Sequence, residues 1–254
     1  FMGINARGMG IMCKTGLASR LRLAAGMAWT LAAGAWGQTV VTLPITTNAT
    51  WTAAGSPYYV LANVTVAPTV TLRIEPGAAV EIIYDRVLTV QGRLEALGTA
   101  EQPIAFRALN GVGYGGSLAV CGTSLALEAT GLVRHCSFVA LSNSVTAIVY
   151  ASNAVLEVTD SMMSNVWHSS ALMGHGARVD WSRNVLREVG EAMTLYVSAG
   201  RICSNDVAGI MTASDGIDID GLWTGAGDAC VQIEWNRFSN GLLSGTDAID
   251  CDGG

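Results

Sequence analysis

Lysine is nearly missing from this chain: Lys14 is the only one. Past residue 37 the basic side chains are ten arginines against twenty carboxylates, a net charge of −10. Such a surface excludes nucleic acid and anionic lipid as natural partners and suits cations or neutral sugars. Long apolar runs are missing from the same region, so the mature chain is expected to carry no membrane span, which takes roughly 20 residues. No segment repeats apolar residues with helical spacing, which argues against a helical protein. No CxxC pair occurs, which sets aside zinc-ribbon and thioredoxin-type chemistry. His135, His168 and His175 are scattered with no metal-site spacing, and read as loop or core histidines. No Gly-x-Ser-x-Gly elbow appears. The glycine-rich Gly111–Gly116 segment opens no helix, so it is not a nucleotide-binding loop.

The first 37 residues have the layout of an export signal. Lys14, Arg20 and Arg22 precede the uncharged apolar run Leu23–Trp36, and Ala35 and Gly37 place small residues before a cut ahead of Gln38. The expected start is Met12. The rival reading is a retained N-terminal anchor. Cleavage leaves Cys121, Cys136, Cys203, Cys230 and Cys251, an odd number, so at least one is unpaired within the chain. The expectation is that most of them fill the core as small apolar side chains.

From Trp51 onward the dominant pattern is alternation. Val64 and Val66, Leu72 and Ile74, Val80 and Ile82, Leu88 and Val90, Leu94 and Ala96, and Ile104 and Phe106 are short β-type runs separated by Pro or Gly. A motif recurs further on: a strand, a polar turn with Asn, Asp or Ser, then a large apolar anchor. The anchors are read as Phe138, Met162, Val185, Val207 and Phe238, at intervals of 24, 23, 22 and 31 residues. That period fits one turn of a three-strand coil per repeat. The longer interval carries an insertion at Gly221–Gly227. A sandwich would show regularly spaced Asn-Gly or Asp-Gly hairpins, and these do not recur here. The expected fold is all-β, a right-handed single-stranded parallel β-helix. Residues 38–60 are expected to cap it, with coils over 61–254 that continue beyond the last residue.

Ser56–Val60, Thr71–Val80, Leu88–Leu94 and Gly98–Phe106 together resemble the opening coils of secreted bacterial right-handed parallel β-helix proteins of the pectin-lyase-like superfamily. The likeness covers about residues 51–108 and is looser over 130–254. It implies fold and export to the medium, periplasm or cell surface. It does not imply an activity, because this fold hosts lyases, hydrolases, adhesins and proteins with no known reaction.

The sharpest local feature is a duplicated hexamer, Asp215–Asp220 and Asp247–Asp252, whose three aspartates repeat at a spacing of 32. On neighbouring coils, Ile217, Ile219, Ile249 and Cys251 would face in, and Asp218, Asp220, Asp250 and Asp252 would face out as one cluster. Three readings follow: these four ligate a hard cation such as Ca²⁺, one carboxylate keeps its proton and forms an acid/base pair, or solvent and turn hydrogen bonds tolerate the cluster. Asp215–Asp218 and Gly227–Cys230 also resemble segments of polygalacturonase-type glycoside hydrolases, which makes Asp215, Asp218 and Asp228 catalytic candidates by resemblance. Ser214 and Ala229 depart from that pattern, Gly174-His175-Gly176 comes before the aspartates rather than after, and no Arg-Ile-Lys segment exists. Trp167, Trp181, Trp223 and Trp235 either stack on sugar rings or pack in the core and turns. Two functions stay open: a surface scaffold binding a cation, a polysaccharide or a cell-surface component, and a polysaccharide hydrolase or lyase.

Overall fold

The structure, a computed structural model, describes residues 37–111, 114–124, 128–141, 147–211, 214–221, 230–239 and 247–252, with backbone alone for 167–169 and 252. The expected signal segment and Asp228 lie outside these residues. All strand pairings among the described residues are parallel, and the strands wrap into a nearly closed solenoid consistent with a parallel β-helix. No α-helix occurs among them, and so none is long and apolar enough to cross a membrane.

Each turn visits three stacks in order. The first stack includes Val64–Val66, Val87–Val90, Ser117–Cys121, Ala147–Ser152, Ile217–Asp220 and Ile249–Asp252. The second includes Thr71–Ile74, Arg93–Leu97, Ala129–Arg134, Ala154–Thr159, Arg178–Ser182, Ala199–Cys203 and Val231–Glu234. The third includes Tyr58–Val60, Ala79–Ile82, Ile104–Ala108, Cys136–Val139, Asp206–Ile210 and Arg237–Ser239. Two long strands, Met162–His175 and Val185–Tyr196, run through the corner from the third stack into the first and join them as one sheet. Residues 38–60, expected to lie over the open end, contribute Thr39–Val41, Ala49–Trp51 and Tyr58–Val60 to the stacks.

The alternation buries what it should. Val64, Leu72, Ile74, Val80, Leu88, Leu94, Ile104 and Phe106 are all at or near zero exposure. Inward positions align rung upon rung: Val64, Leu88, Leu118, Val149, Leu172, Met193 and Ile217 form one column. Phe106 stacks on Phe138 with ring centroids 4.7 Å apart, so the pair offers the flat contact that in-register rungs impose. One expectation needs correction. The third-stack column runs Phe138, Met163, Leu186, Val207, Phe238, not through Met162 and Val185. A slip of one residue moves a side chain to the other face, and Met162 is 43% exposed.

The corner between the second and third stacks explains the repeat. His135, Asp160, Arg183, Ser204 and Trp235 all take positive φ, between 48° and 59°. The residue after each of the first four turns inward and bonds the next rung. Cys136 N donates to Ser161 Oγ (3.1 Å), Ser161 N to Asn184 Oδ1 (3.1 Å), Asn184 N to Asn205 Oδ1 (2.9 Å) and Asn205 N to Asn236 Oδ1 (3.0 Å). These bonds span 25, 23, 21 and 31 residues, the coil lengths themselves. Each satisfies a backbone N–H that burial would otherwise leave unpaired.

The cysteine expectation holds only for Cys136 and Cys203, which are buried; Cys121 is half-buried, Cys230 and Cys251 are exposed, and all five are free. Trp181 is fully buried in the core, whereas Trp235 is 84% exposed at its turn. Trp223 and the side chains of Trp167 and His168 lie outside the described residues.

Candidate functional site

The two aspartate hexamers pair as neighbouring rungs of the first stack. The register is Ile217 on Ile249, Asp218 on Asp250, Ile219 on Cys251 and Asp220 on Asp252. Strand alternation sets the faces: Ile217 is fully buried and Ile219 packs on the core, while Asp218 and Asp220 are half-buried on the outer side. Cys251 and Ile249, expected to face inward, are exposed on the last described rung. The first aspartate of the earlier copy has a structural task. Asp215 Oδ1 accepts the Asp247 N–H at 2.7 Å, and Gly216 N donates to Asp247 O at 2.9 Å, which locks the two copies in register. Asp250 Oδ1 accepts the Cys251 N–H at 2.8 Å.

The preceding rungs add residues that sequence reasoning missed. Thr194 lies in register with Asp218, and Tyr196 with Asp220. One rung further back, Met173 and His175 align with Thr194 and Tyr196. On the outer side of the strands one column therefore runs Met173, Thr194, Asp218, Asp250 and another His175, Tyr196, Asp220, with the Asp252 backbone next in register and successive rungs roughly 4.8 Å apart. The His175 and Tyr196 rings meet edge to face with centroids 6.5 Å apart. Beside them, Ser170 Oγ donates to Glu191 Oε2 at 2.7 Å and lies 2.9 Å from Thr194 Oγ1. Thr194 is completely buried and Ser170 nearly so, so this hydroxyl pair is a fixed link between Glu191 and the aspartate columns. His175, called scattered on sequence spacing, stands on this face and is exposed. Its place depends on coil lengths summed over two turns, which no local motif encodes.

The electrostatics follow from the stacking. Partial burial comes first in pushing the Asp218 carboxyl up to about 6, and the charges of Asp220, Glu191, Asp215 and Asp250 add to it. Burial, then Asp218, Glu191 and Asp220, also raises the Tyr196 phenol above its usual value. The face thus holds closely spaced carboxylates, one of which retains its proton into mildly acidic conditions. Its donors are the hard oxygens that Ca²⁺ accepts. Among the described residues no three His, Cys, Asp or Glu side chains converge as a ready metal cage. Adjacent pairs are what the face offers.

Compared with known proteins, the chain matches no family model, no curated protein and no solved structure.

Proposed function

We propose that this chain is an exported right-handed parallel β-helix of the pectin-lyase-like kind, acting as a surface scaffold that binds a cation, and through it a glycan, on the aspartate face of its first stack. The observation that carries this reading is the stacking of Asp218 on Asp250 and Asp220 on Asp252. Like charges directly opposite are unfavourable, and a divalent ion bridging adjacent rungs removes the cost. With only pairs of carboxylates converging, water or sugar hydroxyls complete the shell, so the ion couples protein to ligand.

A second reading has its own support. Asp218 keeps its proton to about pH 6 while standing over other carboxylates, as an acid/base pair for glycoside cleavage requires. Asp218 would be the proton donor, and a polysaccharide hydrolase or lyase the outcome.

One experiment separates the two. Calcium binding is followed by titration calorimetry and by the melting temperature with calcium or chelator, and product release is measured on acidic and neutral polysaccharides. The double variant Asp218→Asn/Asp250→Asn runs alongside. Calcium-dependent stabilisation lost in the variant, without turnover, is the result expected of the scaffold. Turnover abolished in the variant establishes the enzyme. A folded protein whose melting temperature ignores millimolar calcium and which releases no product refutes both. Recovery of protein beginning at Gln38 outside the cell tests export.

A further inference from the structure

The corner between the second and third stacks carries a ridge on its outer side. His135, Asp160, Arg183, Ser204 and Trp235 follow one another along it, one per rung, because the N–H of each of the first four bonds the carbonyl just before the next. Beside the ridge, the outward column of the third stack runs Ser137, Met162, Val185, Asp206, Arg237. A hollow of about 420 Å³ lies between the two, lined by His135, Asp160 and Arg183 of the ridge, by Met162 and Val185 of the column, and by Pro103. The same two columns run on past Ser204 and Asp206 to Trp235 and Arg237.

Folding does not account for Trp235. The turn demands a positive φ, which Gly, Asn or Asp meets with least strain. A bulky side chain at φ +59° is an unfavourable choice. Burial does not offset it, since Trp235 is 84% exposed. A free indole presents a flat apolar face and an N–H donor. Met162, 43% exposed, is a second apolar contact three rungs back on the same line, roughly 14 Å away along the axis.

Between them stands a fixed polar pair. Arg183 Nε and Nη2 donate to Asp160 Oδ1 and Oδ2 at 2.7 and 2.8 Å. Both side chains reach solvent, at 52% and 27% exposure, and a guanidinium and a carboxylate each keep hydrogen-bonding capacity after such a contact. The charges around the ridge are matched. Arg134 pairs with Glu157 and Arg187 with Asp206, as Arg183 does with Asp160. Glu234 and Arg237 flank Trp235 with opposite signs, and further out on the second stack Asp180 and Arg201 oppose each other in register. Glu101, on the loop before Pro103, is left over. A polyanion therefore meets no net positive field here, and a neutral ligand meets no penalty.

A flat aromatic face, an apolar floor and a rigid donor–acceptor pair form a set complementary to sugar rings. One hydroxyl of a vicinal pair donates to Asp160 and its neighbour accepts from Arg183, while the C–H face of that ring lies on Met162 and Val185. A ring further along the chain stacks on the indole. Rungs repeat at roughly 4.8 Å, close to the length of one pyranose unit, so a straight polysaccharide running along the axis stays in step with the ridge.

We propose that this corner is a binding ridge for a neutral polysaccharide, with Trp235 as its stacking platform and the Asp160–Arg183 pair reading its hydroxyls. The site is separate from the aspartate face and does not depend on a cation bound there.

Titration calorimetry of the full chain with cellohexaose, xylohexaose and mannohexaose, in chelator, tests it. The expected result is saturable binding of at least one of them. Trp235→Asn should weaken that binding tenfold or more without lowering the melting temperature, since Asn suits the turn, and Trp235→Phe should stay within about threefold of wild type. Arg183→Gln should weaken binding about fivefold, and Asp218→Asn/Asp250→Asn should leave it unchanged. No binding by folded protein, binding indifferent to Trp235→Asn, or binding of oligogalacturonate alone overturns the proposal. A melting temperature lowered by Trp235→Asn would assign the indole to folding, and binding lost in the Asp218/Asp250 variant would assign the sugar to the first stack; either overturns it equally.

Discussion

Replacing Asp218 by Asn tests whether the aspartate columns are under electrostatic strain. In the folded chain the Asp218 carboxyl is raised to about 6 from an ordinary 3.8, first by burial and then by four neighbouring carboxylates. The folded state therefore holds this proton more tightly than the unfolded one. The sign follows: the favourable contribution is complete below pH 3.8 and is lost as pH rises through about 6. A shift of two units felt in full would be worth about 3 kcal/mol. Asp218 is only half-buried, and solvent and salt reduce this to about 1 kcal/mol. Asn keeps the shape and removes the charge. At pH 7.5 and low salt, without divalent ions, Asp218→Asn should raise stability by about 1 kcal/mol, a melting shift of roughly 2–4 °C for a chain this size. At pH 4 wild type and variant should melt together. Calorimetric scans from pH 4 to 7.5, each repeated at high salt, read this out. An equal difference at both ends of the range, or a variant less stable at pH 7.5, would refute the reasoning. Calcium reverses the comparison if the ion binds, because wild type then gains what Asn cannot.

Other outcomes follow from the same geometry. Asn205 is almost fully buried; its side chain accepts from Asn184 N at 2.9 Å and donates to Trp181 O at 2.8 Å and to Asn236 Oδ1 at 2.9 Å. Asn205→Ala should cost about 3 kcal/mol in urea unfolding, since buried partners lose their bonds; a loss under about 1 kcal/mol would show that the ladder is dispensable. Val197 follows Tyr196 at φ +46°, an unfavourable conformation for a β-branched residue. Val197→Asn, which keeps the 2.8 Å bond from its backbone N to Asp220 O, should add about 1 kcal/mol; destabilisation would contradict the strain. Of the five cysteines from Cys121 on, Cys230 and Cys251 should react with a thiol reagent at once. Cys136, whose thiol burial raises strongly, and Cys203 should react only on unfolding, while Cys121, pushed up to about 11, should lag behind the exposed pair.

The fold was legible because its cause is local and repeated. Alternation such as Leu72-Arg73-Ile74 sets the buried face of each strand, and the interval between polar turns sets the coil. The anchors Met162 and Val185 went wrong by one residue because Met162-Met163 and Val185-Leu186 are apolar pairs, in which hydrophobicity alone cannot choose the face. The register is chosen at the corner instead, by Ser161 and Asn184 turning inward to bond neighbouring rungs. The aspartate columns were visible because they are a literal duplication. Ser170, Glu191, Thr194, Tyr196 and His175 were not, since they meet those columns only through pairings across two turns.

In-register stacking treats the two sides of a rung differently. Inside, repeating an apolar residue at each turn is favourable, and the core consists of such columns. Outside, repeating a charge is unfavourable, and several neighbouring rungs set opposite charges together instead, although Glu157 falls in register on Asp180. Arg107 reaches back to Glu81, Arg134 forward to Glu157, Arg183 back to Asp160 and Arg187 forward to Asp206, all at 2.6–2.8 Å. Opposite charges directly across a sheet are the arrangement that stability alone favours. Glu157 on Asp180 departs from it once, with Glu157 held by Arg134, whereas Asp218 on Asp250 and Asp220 on Asp252 depart from it twice in succession, with Asp215 and Glu191 adding charge of the same sign. Folding gains nothing from them, since asparagine or serine would preserve the strand and its register without the repulsion. A ligand that is itself positive, or a reaction that needs a proton held near pH 6, would offset that repulsion, and on this ground the first stack's aspartate face is the one proposed as functional.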